Sequence, residues 1–328
     1  MPNTHPPSIP ILGTLEPGAT QRHMVTLPGA ALAEDQWPVT TVTGAQPGPT
    51  LFIGAGVHGG EYPAVETVIR LSRGLQTAEI AGTVVLMPVL NLPAFRTRSM
   101  FVNPLDGLNP NRVFPGNPNG TYSEQMVHAL TNEFIAHADA YIDLHGGDIP
   151  EALVPFSICR SGGEPVDARA MELASVFGLP YLLTVNRPIQ QARGSSSFVA
   201  AAERGVPGFI AEAGGVGQLQ YDAVDLLMDG VHRVLAHLGM MASSVPAAAP
   251  PTVLTRFDWL YSENAGMFYP SVGVDAEVRA GQEVGRVGSL FGETLETIVS
   301  PVAGRVLFLT INPAVLAKGL LMGIGVSG

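Results

Sequence analysis

The sequence predicts an α/β protein, a doubly wound and mostly parallel sheet followed by a smaller all-β domain, and three observations point to it. Apolar residues make up 46% of the 328 residues and charged residues only 14%, with a mean hydropathy of +0.26, so most segments must be buried on two sides. That is the situation of parallel strands covered by helices. Strand-like and helix-like stretches alternate through the first 240 residues or so, the pattern of βαβ units. Beyond a Pro/Ala-rich segment, the pattern changes to short β-type runs separated by glycine turns, the pattern of a small all-β domain.

The strands expected are Pro49–Val57, Thr83–Asn91, Ala140–Gly146, Val154–Arg160, Pro180–Val185 and Pro207–Gly214, each a short apolar run bounded by turn residues. Between and after them come helices over Tyr62–Ser72, opened by Pro63 near its first turn, Ser123–Ala138, Pro165–Phe177, Ser196–Arg204 and Tyr221–Leu238. The segment SSVPAAAPP, residues 243–251, reads as a linker. It divides an α/β domain, residues 1–242, from a C-terminal β domain, residues 252–328, of about eight short strands.

Composition also narrows the function. A single cysteine, Cys159, excludes an internal disulfide and a cysteine-based zinc knuckle, so any metal must be held by His and carboxylate. The net charge of −11, with no basic cluster, argues against nucleic acid and against an anionic membrane surface. No apolar run approaches the roughly 18 residues that a membrane span needs. The N-terminus MPNTHPPSIPILG lacks a basic region followed by an apolar one, so a cytoplasmic location is expected.

The stretch GAGVHGGEY, residues 54–62, has two readings. Gly54, Gly56 and Gly59 match the glycine fingerprint of a dinucleotide-binding turn. That fingerprint requires an acidic residue some 20 positions later at the end of the next strand. Here that strand ends at the uncharged Asn91, further along. The other reading takes His58 and Glu61 as metal ligands, with Gly59 and Gly60 letting the loop fold around the ion. A second imidazole, His145 in DLHGG, stands at another strand end, and the same edge of an open sheet is where ligands bind.

Two imidazoles and a carboxylate form the ligand set of a catalytic zinc whose fourth position is kept for water. Asp143, two residues before His145 on the strand, points to the same side and is a candidate outer partner of the site. Glu212 closes an otherwise apolar strand in GFIAEAGG; burial raises a carboxyl's pKa, which suits a general base. Asn111 and Arg112, side by side in a Pro/Gly-rich loop, are candidates for a substrate-carboxylate clamp. Arg96 and Arg98 upstream offer a cation for a developing oxyanion.

The four motifs HGGE, NRVFPG, DLHGG and AEAGG, in this order, resemble the succinylglutamate desuccinylase/aspartoacylase family, a branch of the zinc carboxypeptidase-like fold. The similarity spans nearly the whole chain. The resemblance implies one Zn²⁺ per chain on His58, Glu61 and His145, with Glu212 as general base, Asn111 and Arg112 gripping a substrate carboxylate, and Arg98 facing the oxyanion. Asn109 stands where aspartoacylase has an Asp, and Arg193 is a loose counterpart of the family's second substrate-carboxylate arginine. Within the family the loop and the tail look closest to the N-acetyl-diaminobutyrate deacetylase-like branch.

The tail is similar to barrel-sandwich domains that carry biotin or lipoate, yet the only lysine, Lys318, sits in no evident attachment turn. A lid or homo-oligomer contact is the role expected for it. The expected activity is hydrolysis of a small N-acyl amino acid or related carboxylate-bearing amide. A metallocarboxypeptidase acting on short peptides and a non-catalytic metal- or ligand-binding relative stay open at this point.

Overall fold

The computed structural model describes residues 8–185, 194–242 and 245–328. A two-residue ladder of Ser8–Ile9 (β1) with Gly13–Thr14 (β2) leads into Thr20–Val25 (β3) and Trp37–Thr43 (β4). Then follow Gln46–Ala55 (β5), Tyr62–Gly74 (α1), Ala81–Met87 (β6), Leu92–Thr97 (α2) and Tyr122–Glu133 (α3). The middle of the chain supplies Ala140–His145 (β7), Glu151–Leu153 (β8), Phe156–Arg160 (β9), Pro165–Phe177 (α4) and Tyr181–Val185 (β10). Ser197–Glu203 (α5), Gly208–Glu212 (β11), Tyr221–His237 (α6) and Thr252–Leu254 (β12) complete the larger layer.

One nine-stranded sheet, in the order β12-β10-β9-β11-β7-β5-β6-β4-β3, organises these elements. Its centre is parallel; antiparallel pairs occur at β3/β4, β4/β6 and β9/β11. The mostly parallel, doubly wound sheet read from the sequence is therefore present, with every expected strand and helix in place and boundaries shifted by a few residues. The β3–β4 edge and the short α2 are additions to that reading.

The strands alternate their side chains between two cores, as a pleated sheet buried on both faces must. On one face, Leu51, Ile53, Ile142, Leu144, Phe209 and Ala211 pack against the apolar stripes of α1, α4 and α6. Those stripes follow helical spacing, as in Ala64, Val68 and Leu71 of α1 or Leu227, Val231 and Val234 of α6. On the other face, Phe52 and Tyr141 meet Met126, Val127 and Leu130 of α3 and Ala200 and Ala201 of α5. α4 begins at Pro165, whose missing N–H costs nothing there, and ends at Gly178 in the left-handed region at φ +88°.

The remaining strands are Arg256–Tyr261 (β13), Gly266–Pro270 (β14), Glu277–Val278 (β15), Glu283–Gly288 (β16), Thr294–Val299 (β17), Gly304–Thr310 (β18), Ala314–Val315 (β19) and Leu320–Val326 (β20). They form two antiparallel sheets, β13-β20-β18-β15 and β17-β16-β14-β19. Between them lies a core of its own that includes Leu260, Phe268, Val284, Ile298, Leu321 and Ile324. Lys318 is engaged with Glu263.

Two strands tie the layers together. β12, beyond the Pro/Ala segment, extends the nine-stranded sheet by pairing in parallel with β10. β8, from the middle of the chain, pairs antiparallel with β18 of the C-terminal sheet. The Pro/Ala segment is itself held down: Arg233 Nε donates to the Pro246 carbonyl at 2.8 Å, and its Nη1 donates to the Phe177 carbonyl at 3.0 Å. Phe257 of β13 and Leu307 of β18 pack with Phe156 and Ile158 of β9 and Leu183 of β10 in an apolar cluster between the two layers.

Candidate active site

β5 and β7 are parallel neighbours, with Ala55 in register with Leu144. The turn after β5 and the last residue of β7 therefore meet at one edge, as sheet topology requires. His58 lies in that turn, Glu61 at the N-cap of α1, and His145 at the end of β7. The turn is tight because two residues lack side chains. A Cβ on Gly59 would fall 2.3 Å from the Ala94 backbone carbon, and one on Gly60 would fall 2.2 Å from Asp148 Oδ1. At 59 the obstacle is backbone, which leaves room only for glycine; at 60 it is the Asp148 carboxylate, which a side chain there would have to displace.

His58, Glu61 and His145 each bring a ligand-type atom, and these atoms lie within 4.8 Å of one another. His58 Nδ1 is 2.7 Å from Glu61 Oε1, and His145 Nδ1 is 3.0 Å from Glu61 Oε2. The opposite ring nitrogens face outward to acceptors: His58 Nε2 reaches Asn109 Oδ1 at 3.1 Å, and His145 Nε2 is 3.1 Å from Asp143 Oδ2. At His58 the hydrogen-bond acceptor at Nε2 keeps the proton there and turns the Nδ1 lone pair inward, whereas at His145 the nearby Asp143 charge favours the same arrangement without hydrogen-bond geometry. Asp143 is held in turn by the Ser197 hydroxyl at the start of α5.

This donor set fits a divalent cation. Glu61 is 2% exposed, and its Oε2 has no hydrogen-bond donor among the described residues despite its closeness to His145. A buried carboxylate oxygen left without a donor is costly, and a cation removes the cost. Burial alone would raise the Glu61 pKa, but the two imidazoles overcome it and hold the carboxyl at about 2. Conversely, burial disfavours protonated His145, yet Asp143 and Glu61 together pull its pKa well above the ordinary value. The cluster is a nest of opposite charges that a metal ion would satisfy in place of protons.

A cavity of about 790 Å³ opens over these residues. Glu212 lines it from the end of β11, in register with His145 on one side and with Phe156 on the other. Burial, foremost, raises its pKa well above the ordinary carboxylate value, aided by Glu61, Glu151 and Asp143 and opposed by His145. Asn111 and Arg112 line it too. Asn111 accepts from the Ser197 backbone N–H through Oδ1 at 2.9 Å, which leaves its amide nitrogen as the group to offer a ligand. Arg112 Nη1 donates to the Asn111 carbonyl at 2.7 Å. Burial lowers the guanidinium pKa, and Tyr261, Glu212 and Glu151 offset part of that.

The loop carrying this pair is fixed to the metal-site turn by asparagines. Asn103 Nδ2 donates to Asn91 Oδ1 at 3.0 Å, and Asn91 Nδ2 donates to the Val57 carbonyl at 3.1 Å. Asn109 also caps the Asn111 N–H at 2.9 Å, so the residue standing in for an Asp joins the His58 ring to the clamp loop.

Not every expected residue arrives. Arg98 is exposed at the left-handed C-cap of α2, φ +56°, and does not line the cavity. Arg96 pairs with Asp35 at 2.5 Å, on the surface. Arg193 lies outside the described residues. Glu151, which sequence reasoning passed over, does line the cavity. It accepts from the Asp148 N–H at 3.3 Å, and burial pushes its carboxyl up to about 7.

The comparisons with known proteins agree with the geometry. A family model described as the succinylglutamate desuccinylase/aspartoacylase catalytic domain matches residues 47–238, more than half of the chain. The chain belongs to that family. Its members are deacylases and desuccinylases, hydrolases of N-acyl amino acid amides. A curated relative, the N-alpha-acetyl-L-2,4-diaminobutyric acid deacetylase of Halomonas elongata, is 29% identical over 256 residues, covering 76% of this chain and 73% of the relative. The crystal structure of the succinylglutamate desuccinylase/aspartoacylase from Rhodobacter sphaeroides superposes with a TM-score of 0.83 at 25% identity, covering 94% of this chain and 95% of that one. The product-bound ectoine utilization protein of Ruegeria pomeroyi gives a TM-score of 0.85 at 24% identity, with 94% and 95% covered, a likeness of fold. Among the described residues no helix is long and apolar enough to cross a membrane.

Proposed function

We propose that this family member is a zinc-dependent amidohydrolase that cleaves a small N-acyl amino acid or a related amide bearing a carboxylate. The observation that carries the reading is the convergence of His58, Glu61 and His145, each at the end of a different element, on the cavity that the half-buried Glu212 also lines. His58, Glu61 and His145 would hold the zinc, which when bound would lower the pKa of a water and polarise a carbonyl.

The protein's own groups do the rest. Glu212, whose affinity for a proton is raised by burial, takes one from the nucleophilic water and later delivers it to the departing amine. Arg112, with the Asn111 amide beside it, pairs with the substrate carboxylate and sets the amide over the metal site. Asp143 and Asn109 hold the two imidazoles in the tautomer that faces the ion.

The division into a catalytic domain, residues 1–242, and a C-terminal β domain, residues 252–328, belongs to the same proposal, with β8 and β12 crossing between them. Phe257, Trp259, Tyr261 and Phe308 of the C-terminal domain wall the cavity, which favours small amides over the extended chain of a carboxypeptidase substrate. The test is a screen of N-acetyl, N-succinyl and N-formyl amino acids against short peptides, using metal-analysed protein. Release of free amino acid from at least one acyl series, abolished by chelation and restored by zinc, is the expected result. Cleavage of peptides alone, or of nothing after full zinc loading, would defeat the proposal.

A further inference from the structure

The sheet face that carries the metal cluster continues into a chamber with different chemistry. Asp143 and His145 on β7 are in register with Ile210 and Glu212 on β11. Those in turn pair with Ile158 and Phe156 on β9, and Phe156 and Ile158 with Tyr181 and Leu183 on β10. Directly paired residues project to the same side of a sheet. From Glu212 outward Ile210, Phe156, Ile158, Leu183 and Val185 on that side all line the cavity, while Arg160, the partner of Val185, is paired with Asp167 and does not line it.

An aromatic wall stands opposite. Phe257 stacks on Phe156 at 6.3 Å between ring centroids, Trp259 meets Phe257 edge-on at 4.6 Å, and Phe308 lies 5.5 Å from Trp259. All four rings line the same cavity, and Phe198 of α5 joins them. Gly323 makes room for this wall, since a Cβ there would fall 2.2 Å from the Phe257 ring. Two polar neighbours are already engaged: Thr184 Oγ1 donates to the Leu254 carbonyl at 3.2 Å, and Arg256 Nε pairs with Asp258 at 2.7 Å.

Water in such a chamber finds few partners, so displacing it with hydrocarbon is favourable. A cavity of about 790 Å³ also lies in the upper part of the roughly 300–1,000 Å³ range of sites that take drug-sized ligands. A short acetylated amino acid would fill only the polar end.

We propose that the apolar chamber binds a bulky hydrophobic group, aromatic or aliphatic and of about six carbons or more, carried by the N-acyl amino acid whose amide lies at the metal site. The inference rests on the amidohydrolase reading of the same cavity and adds the substrate class. The group enters either as the side chain of the amino acid or as the acyl chain.

Two substrate series on the zinc-loaded full chain separate those sources. One runs through N-acetyl alanine, leucine, phenylalanine and tryptophan, the other through N-acyl glycines from acetyl to octanoyl and benzoyl. In one series kcat/KM should rise roughly threefold per added methylene until the chamber is full, and the series that rises identifies the side. Trp259→Ala should reduce the ratio of large-substrate to small-substrate kcat/KM by about tenfold, and Trp259→Phe should restore most of it.

A second readout does not need turnover. The chain has two tryptophans, and Trp37 is fully buried with Nε1 donating to the Leu90 carbonyl. Saturable change of tryptophan emission on adding octanoate or phenylacetate, lost in Trp259→Phe, reports occupation of the chamber. If small polar amides are hydrolysed while both series fall with size and emission does not respond, the chamber proposal is overturned and the hydrolase reading stands. If no amide is cleaved but emission still responds, the chamber stands and the hydrolase reading falls.

Discussion

Replacing Asp143 by Asn removes one negative charge and changes almost no volume, and the structure sets the size of the effect. Asp143 is fully buried, its Oδ2 lies 3.1 Å from His145 Nε2, and the Ser197 hydroxyl donates to the same oxygen. A contact between a charged acceptor and an imidazole N–H is worth about 1.5–3 kcal/mol, and its neutral counterpart about 1 kcal/mol. The difference, about 0.5–2 kcal/mol, corresponds to a loss of roughly 2- to 30-fold in affinity for a cation bound through His145 Nδ1, overlapping the lower part of the 10- to 100-fold range seen when such outer partners are changed. The assay is competition for zinc against a chromophoric chelator, with circular dichroism confirming that the variant is folded. The reasoning predicts zinc affinity lower by about tenfold at an unchanged stoichiometry of one. Unchanged affinity in a folded variant would show that Asp143 does not act through His145.

Three other expectations follow from single residues. Glu212→Gln should keep its zinc but lose turnover by several orders of magnitude; in the unaltered protein, because burial raises the Glu212 pKa, kcat/KM should fall as pH drops along an acid limb above the ordinary Glu range, as a pH–rate profile would show. Glu151, raised by burial to about 7, favours the native state below its unfolded pKa near 4.5 and loses that advantage as pH rises through 7. Glu151→Gln should therefore raise Tm at pH 8 and leave it unchanged near pH 4, by thermal melts at the two pH values. Gly59→Ala forces a Cβ to within 2.3 Å of the Ala94 backbone, which cannot yield cheaply, so a stability loss of about 1–3 kcal/mol and weaker zinc binding are expected from urea melts and chelator competition.

The parts of this molecule that were legible in the sequence are those written in local pattern. The central strands are continuous apolar runs because both faces are covered, and α1 and α4 carry both an apolar stripe and a proline start. His58, Glu61, His145 and Glu212 were readable because polar residues at the ends of apolar strands have few other reasons to be there. Pairing over long distance leaves no such trace. Nothing local in GFIAE shows that β11 runs antiparallel to β9, and nothing after the prolines shows that Thr252–Leu254 joins the large sheet.

Glu151 was missed for a related reason. It lies in a three-residue strand whose partner is β18, more than 150 positions away, so nothing local in the sequence shows that it lines the cavity. The aromatic wall did have a signal: Phe257 and Trp259 alternate along β13, as residues on one face of a strand do. What the alternation could not say is which surface that face would meet. Arg98 illustrates the opposite case, a residue placed by motif order whose left-handed C-cap directs it to solvent.

The central claim is that one divalent ion is held jointly by His58, Glu61 and His145. Anomalous diffraction at the zinc edge, from crystals grown with equimolar zinc, tests it most directly. A single strong peak within about 2.0–2.3 Å of one atom from each of these three side chains is the predicted result. A peak elsewhere, or a site that leaves out His145, would contradict the account.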